Sequence, residues 1–415
     1  MARALAWLSG VAGRRWLLRA LLAYAVIGVI VWIRRPGDFA GYLLVGNLVL
    51  SGGHIYHDAP AGLNTWPPFF SLGCVPLALL AVPTPYLARG FWLLLNLALV
   101  LLALHLIARL VYERPLSLRA ESPGLSLAAP EILLPLLLTD RYVSGNFDHL
   151  QVNVVIFVLA LAGLYLQRQG REVAGSLALG AAAALKVMPV VFIPYLAYRG
   201  RWRAALWTTL FTVGCSLSPV LVFGWSRFWD YVVAWRASVA VGWGVGKMNQ
   251  SVFAMWDRFL GHRMLPLAVG GVNDVPASGT VWVSAAVVGS LAVVTVLALV
   301  LFRGQPEREG WATLAEWSVV FIVSAIFAPV TWKAFLVVLL LPNALLFAVW
   351  RHSGLDAATR RTAGWLLLVA FVIGTLPSPG LVGKWLAGAL EMTSAVTISA
   401  LVLLGSSLWL RARFA

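Results

Sequence analysis

The stretch WLLRALLAYAVIGVIVWI, Trp16 to Ile33, follows Arg14-Arg15 and runs into Arg34-Arg35-Pro36-Gly37-Asp38. A helix needs about 20 predominantly apolar residues to cross a bilayer core, and this run meets that length. It lacks a small-residue cleavage site of the A-x-A kind, so it reads as a retained signal anchor with a cytoplasmic N-terminus. The pattern recurs along the chain, with apolar runs at about 88–110, 124–139, 152–167, 173–185, 187–199, 205–224, 282–302, 312–328, 334–350, 363–377 and 394–410. Phe69 to Val82 is shorter and stops at Pro83-Thr84-Pro85, which reads as a re-entrant segment or one further span. The expected fold is therefore an all-α polytopic bundle of about 11–13 transmembrane helices forming one domain over 1–415.

Composition agrees. Residues of the set AVILMFWYC make up 61% of the 415 and charged residues 11%, against roughly 45–50% and about 25% in soluble domains. That balance excludes a soluble enzyme and a disordered chain, and two cysteines, Cys74 and Cys215, exclude a disulfide scaffold. The net charge of +15 would suggest nucleic acid in a soluble protein. Here the arginines gather at the ends of apolar runs, as in Arg168/Arg171, Arg199/Arg201/Arg203, Arg351/Arg360/Arg361 and Arg411/Arg413. This is the positive-inside pattern, and it places those ends and both termini in the cytoplasm. Arg34 and Arg35 are the exception and read as headgroup anchors. No basic stretch carries the interleaved aromatics of a single-strand binder, so no nucleic-acid partner is expected.

The remaining polar residues fall on the opposite, outer face. They include the loop 34–68 with Asp38 and Asp58, the stretch Gly145 to Asn153, the long loop 225–280, and Thr331-Trp332-Lys333. All four lysines, Lys186, Lys247, Lys333 and Lys384, also lie there. An ionisable group at membrane depth is a functional hypothesis by default, and ammonium groups suit a phosphate. No internal repeat of the kind common in secondary transporters is evident, and the large asymmetric outer loops favour an enzyme.

Those loops carry a resemblance. Asp38-Phe39-Ala40-Gly41-Tyr42, then Gly52-Gly53-His54-Ile55-Tyr56-His57-Asp58, then Trp66-Pro67-Pro68-Phe69 resemble the opening of glycosyltransferase family 87. Gln151-Val152-Asn153 is similar to its GQ-x-N element, and Lys186-Val187-Met188-Pro189 to its K-x-x-P helix. Asn249-Gln250-Ser251 resembles its NQS element, and Pro329-Val330-Thr331-Trp332 its P-x-(S/T)-W element. Two departures stand out: Leu150 where members often have glycine, and Phe335 where many have histidine. The resemblance implies a GT-C fold and transfer of a sugar, with mannose expected, from a polyprenyl-phosphate donor to a glycolipid or polysaccharide acceptor. The site would lie outside the cytoplasmic membrane, and the catalytic carboxylate early in the first outer loop, where Asp38 stands.

Inverting transfer asks for a carboxylate that takes the acceptor's proton and a cation that holds the departing phosphate. Asp38 is the expected base, with helix capping as its alternative, and Asp58 stands second with an ordinary polar turn as its alternative. Lys186, Lys247, Arg258 and Lys333 are the expected donor-phosphate ligands. Snorkelling is the alternative for Lys186, a merely flexible loop for Lys247, and pairing with Asp257 or Asp230 for Arg258. Tyr42, His54, Tyr56, Trp66, Gln151, Asn153, Asn249, Gln250 and Trp332 are expected at the sugar. Capping or interhelical bonding competes for Gln151 and Asn153, and interface anchoring for the tryptophans. His54, His57 and His149 show no metal-ligand spacing, so no metal and no cofactor are expected. A flippase or transporter of lipid-linked sugars and a non-catalytic membrane scaffold remain the readings from other classes.

Overall fold

The computed structural model describes residues 10–60, 63–120, 124–241, 244–262, 275–303 and 310–414. Trp243, Arg308 and the middle of the 225–280 loop lie outside the described residues. The described residues are mainly helical, and the only strands among them are a two-residue parallel pairing of Leu116–Ser117 with Leu125–Ser126. Among the described residues, seven helices are long and apolar enough to cross a membrane: Val11–Trp32, Pro85–Tyr112, Trp202–Phe223, Val281–Leu301, Lys333–Arg351, Ala357–Thr375 and Ala395–Arg413.

Several expected spans are shorter than a crossing. Asn153–Arg168 and Trp311–Ile326 have 16 residues and Glu172–Leu185 has 14. At about 1.5 Å per residue a 16-residue helix reaches about 24 Å, less than the roughly 30 Å hydrocarbon core. The segment expected from 187 to 199 breaks into a 3₁₀ turn, Met188–Val191, and the short helix Phe192–Tyr198. The run expected at 124–139 begins as turn and extended backbone, and its helix is Pro130–Asp148. The two loops expected outside are more ordered than a polar composition suggests. Phe39–Ser51 is a helix within 34–68, and Trp225–Val241 is another within 225–280.

The chain forms two compact units. One, here the Asp38 unit, comprises 22–106 and 144–243; the other, the Lys333 unit, comprises 1–21, 107–143 and 244–415. In the Asp38 unit, helices Asn153–Arg168 and Glu172–Leu185 meet at Gly163 and Gly175. A Cβ on Gly163 would lie 2.7 Å from the Gly175 carbonyl oxygen, and the reciprocal distance is 2.5 Å. Only glycine lets the two backbones approach so closely, a common way of packing helices where lipid removes the hydrophobic drive. In the Lys333 unit, Trp311–Ile326 is joined to Ala395–Arg413 by Arg411 Nε donating to Glu316 Oε1 at 2.6 Å.

Candidate active site

The first span ends at Trp32, and Pro36-Gly37 turn the chain into the helix Phe39–Ser51. Asp38 occupies the N-cap position of that helix, yet its side chain makes no cap hydrogen bond. Its Oδ2 instead accepts from Gln151 Nε2 at 2.9 Å. The Asp38 backbone N–H donates to the His149 carbonyl at 2.9 Å, which ties the two loops together. Gly37 makes that approach possible. Its φ is +49°, and a Cβ there would stand 2.4 Å from the His149 carbonyl oxygen. Gly37→Ala is therefore expected to add about 1–2 kcal/mol of left-handed backbone strain together with a steric clash, and to unseat Asp38. Parallel measurement of thermal unfolding and sugar transfer checks this; wild-type values for both would show that the Gly37 turn does not hold Asp38.

From Asp38 a line of side chains continues inward. Asn153 Nδ2 donates to Gln151 Oε1 at 2.5 Å, and Lys186 Nζ donates to Asn153 Oδ1 at 3.0 Å. Gln151 and Asn153 are buried and bond to neighbouring side chains rather than capping a helix. Lys186 stands at the C-terminal end of Glu172–Leu185 in an extended conformation, with Pro189 three residues on. Burial raises the Asp38 pKa above its ordinary value, opposed by the charges of His149 and Lys186 and by the Gln151 hydrogen bond. Burial lowers the Lys186 pKa to about 7, opposed by Asp38. A carboxylate able to take a proton is thus connected, through two amides, to an ammonium that is readily lost.

Leu150, in the turn before Gln151, has φ +49° and is 1% exposed. The left-handed backbone explains a glycine preference at this position. Leucine bears a strain of about 1–2 kcal/mol there, which burial of its side chain, worth about 1.5–3 kcal/mol, offsets. Its carbonyl accepts from Trp92 Nε1 at 3.0 Å.

Of the residues expected at the sugar, Tyr42, Tyr56 and Trp66 are buried in aromatic packing. Tyr42 is 0% exposed, with ring centroids 4.7 Å from Trp66, 4.9 Å from Phe70 and 5.7 Å from Trp92. Tyr56 is buried and donates its hydroxyl hydrogen to the Trp66 carbonyl at 2.7 Å. Edge-to-face packing of this kind encloses Tyr42 completely and leaves its ring no face for a substrate.

Asp58 staples its own loop: Oδ2 accepts the His54 backbone N–H at 2.6 Å, and the Asp58 N–H donates to the His54 carbonyl at 3.0 Å. That geometry favours the polar-turn reading of Asp58. One face of the helix Trp225–Val241 then grips this loop by its backbone. Arg227 Nη2 donates to the Gly53 carbonyl at 2.8 Å, Trp235 Nε1 to Thr65 at 3.0 Å, and Ser238 Oγ to Asn64 at 2.7 Å. Sequence reasoning missed this clamp, although Arg227, Tyr231, Trp235 and Ser238 follow helical spacing.

The ligand atoms of His54, His57 and Asp230 lie within 4.8 Å of one another. Spacing along the chain conceals that constellation, because Asp230 is 176 residues from His54. His54 Nδ1 accepts the backbone N–H groups of Tyr56 at 3.2 Å and His57 at 3.0 Å. In the neutral ring that pair of donors assigns the hydrogen to Nε2, which faces Asp230 Oδ2 at 2.9 Å. A metal ion at Nε2 would have to displace that hydrogen while both N–H groups still point at Nδ1. The trio fits a hydrogen-bonded latch better than a metal centre.

In the Lys333 unit, Asn249 joins two motifs that are distant in sequence. Its Nδ2 donates to the carbonyls of Gly244 and Pro329 at 3.0 and 3.1 Å, and its Oδ1 accepts from Ser251 N and Thr331 N at 3.1 and 3.0 Å. All its hydrogen-bonding capacity is used in shaping the loop. Gln250 Nε2 donates to the carbonyls of Lys247 at 2.7 Å and Glu391 at 2.9 Å. Arg258 is 0% exposed and donates to the carbonyls of Val245, Gly246 and Asn249 and to Ser394 Oγ. Its guanidinium organises the loop that carries Lys247, and no nitrogen of it faces outward. Lys333 Nζ donates to Glu391 Oε1 at 2.6 Å. Trp332 is 42% exposed, and Phe335 is buried.

A model of glycosyltransferase family 87 matches residues 64–329, most of the chain and most of these motifs. The chain belongs to glycosyltransferase family 87. As a member of that family it is a glycosyltransferase, and its long apolar helices make it a membrane protein. It is 26% identical over 389 residues to a polyprenol-phosphate-mannose-dependent alpha-(1-2)-phosphatidylinositol mannoside mannosyltransferase of Mycobacterium tuberculosis, covering 88% of this chain and 84% of that one. The protein with the same description from Mycolicibacterium smegmatis is 26% identical over 265 residues, 61% of this chain and 58% of that one. Among solved structures, ArnT from Cupriavidus metallidurans bound to undecaprenyl phosphate aligns with a TM-score of 0.44 and 16% identity, covering 97% of this chain and 79% of that one.

Proposed function

We propose that this family 87 protein moves a hexose, mannose first among the candidates, from a polyprenyl-phosphate donor to a glycolipid or glycan acceptor, with inversion, on the outer face of the cytoplasmic membrane in a GT-C arrangement. The observation that carries the reading is the string Asp38–Gln151–Asn153–Lys186, which joins a half-buried carboxylate to a half-buried ammonium through two buried amides. The acceptor hydroxyl oxygen bonds to the anomeric carbon as the bond from that carbon to the phosphate oxygen breaks. The electron pair leaves with the polyprenyl phosphate, and Asp38 takes the hydroxyl proton. Lys186 holds the phosphate as its charge grows, and Gln151 fixes the carboxylate so that its other oxygen can face the acceptor. Within the Lys333 unit, Lys247 and Lys333 are read as lipid-phosphate contacts, and Arg258 acts through the loop it organises. The donors named for the mycobacterial relatives support the choice of polyprenyl-phosphate mannose.

The reading calls for no cofactor. Purified protein given radiolabelled polyprenyl-phosphate mannose, a phosphatidylinositol mannoside acceptor and a chelator should form labelled glycolipid. Movement of intact labelled donor across a vesicle membrane without transfer would replace the reading with that of a flippase.

A further inference from the structure

Two buried ion clusters in the Lys333 unit differ in charge balance. Glu316 and Arg411 meet one to one, with side chains 1% and 6% exposed. A balanced, closed pair of that kind is a helix staple. Glu391 instead receives two cations on the same oxygen: Arg141 Nη2 at 2.5 Å and Lys333 Nζ at 2.6 Å. Arg141 and Glu391 are enclosed, with side chains 5% and 3% exposed, while Lys333 is 22% exposed. The cluster therefore holds a net positive charge, and Arg141 Nε is buried without a hydrogen-bond partner among the described residues. Burying an uncompensated charge is costly, and a site that keeps one is matched to a visiting counter-ion.

The three groups are not equivalent. Arg141 is also anchored on the Gly374 carbonyl, and its planar fork has little freedom. Lys333 begins the helix Lys333–Arg351, at the end of a membrane-length segment, on a flexible stem that is partly exposed. Gln250 bridges Glu391 to the backbone of Lys247, so a second lysine stands on the same loop.

We propose that Arg141, Lys333 and Glu391 form a site for a lipid phosphate in which Glu391 is the resident counter-ion. Arg141 keeps part of the Glu391 charge to itself, so that Lys333 can turn from the carboxylate to the phosphate. The proposal rests on the reading of Lys333 as a phosphate contact and adds Arg141 and Glu391 as positioning residues. The phosphate can come from the polyprenyl donor or from the acceptor headgroup.

Binding without turnover tests it separately from sugar transfer, using farnesyl phosphate and a short-chain phosphatidylinositol against the full-length protein in nanodiscs. Glu391→Gln removes the competitor and should tighten binding about tenfold, whereas Lys333→Gln should weaken it about tenfold or more. Arg141→Gln leaves Glu391 entirely to Lys333 and should also weaken binding; adding Glu391→Gln should restore it, which loss of a purely structural contact would not allow. The pattern seen with farnesyl phosphate assigns the donor, and the pattern seen only with phosphatidylinositol assigns the acceptor. Unchanged or weaker binding of both probes by a folded Glu391→Gln variant overturns the proposal. If that variant does not fold, unchanged binding by Lys333→Gln overturns it.

Discussion

Asp38→Asn should lower sugar transfer by about a hundredfold or more, the usual effect of removing a general base. The substitution keeps the side chain's size, and the amide oxygen can still accept from Gln151 Nε2. The backbone bond from residue 38 to His149 is untouched. Folding should therefore be preserved, and the loss should appear in turnover rather than in donor binding. Asp58→Asn is the comparison within the same loop. The Asp58 carboxylate holds the His54 backbone N–H, so its replacement should loosen the loop and lower the unfolding temperature more than it lowers the rate per folded molecule. Wild-type turnover by Asp38→Asn with an inactive Asp58→Asn would move the base to Asp58. Wild-type turnover by both would end the carboxylate-base mechanism.

Lys186→Ala should weaken donor use about tenfold to a hundredfold, the scale of a lost charged hydrogen bond in a buried site. The pH dependence is the sharper test. With its pKa held at about 7 by burial, Lys186 is charged below that pH and loses its proton above it. Donor affinity should be flat below about pH 7 and fall by about tenfold per pH unit above it, since a proton must be recovered before the phosphate can bind. Lys186→Arg keeps its charge throughout and should flatten the profile even if its affinity is lower. A wild-type profile that stays level to pH 9 would remove Lys186 from the phosphate.

Much of this was legible before the fold. Apolar runs and their arginine borders mark the helices, and Asp38, Gln151, Asn153 and Lys186 could be singled out from their place beside those runs together with the resemblance to family 87. Their connection could not, because it depends on the left-handed turns at Gly37 and Leu150. Tyr42, Tyr56 and Trp66 look like a sugar platform in sequence because an aromatic residue in a loop carries the same letter whether it faces ligand or packs inward. Arg141 and Glu391 went unnoticed although each is a charge within an apolar helical stretch, which was a usable signal. Their partnership spans 250 residues and required the fold.

The helix Trp225–Val241 holds the loop after Gly52 by its carbonyl oxygens, which every residue type supplies equally. The identities of many loop residues are thus free to drift between relatives while the path of the chain stays fixed. Length is a different matter. Deleting one residue between Gly53 and Asn64 would shift one set of acceptors against donors whose spacing the helix fixes, and should disable the protein more surely than several substitutions in the same stretch.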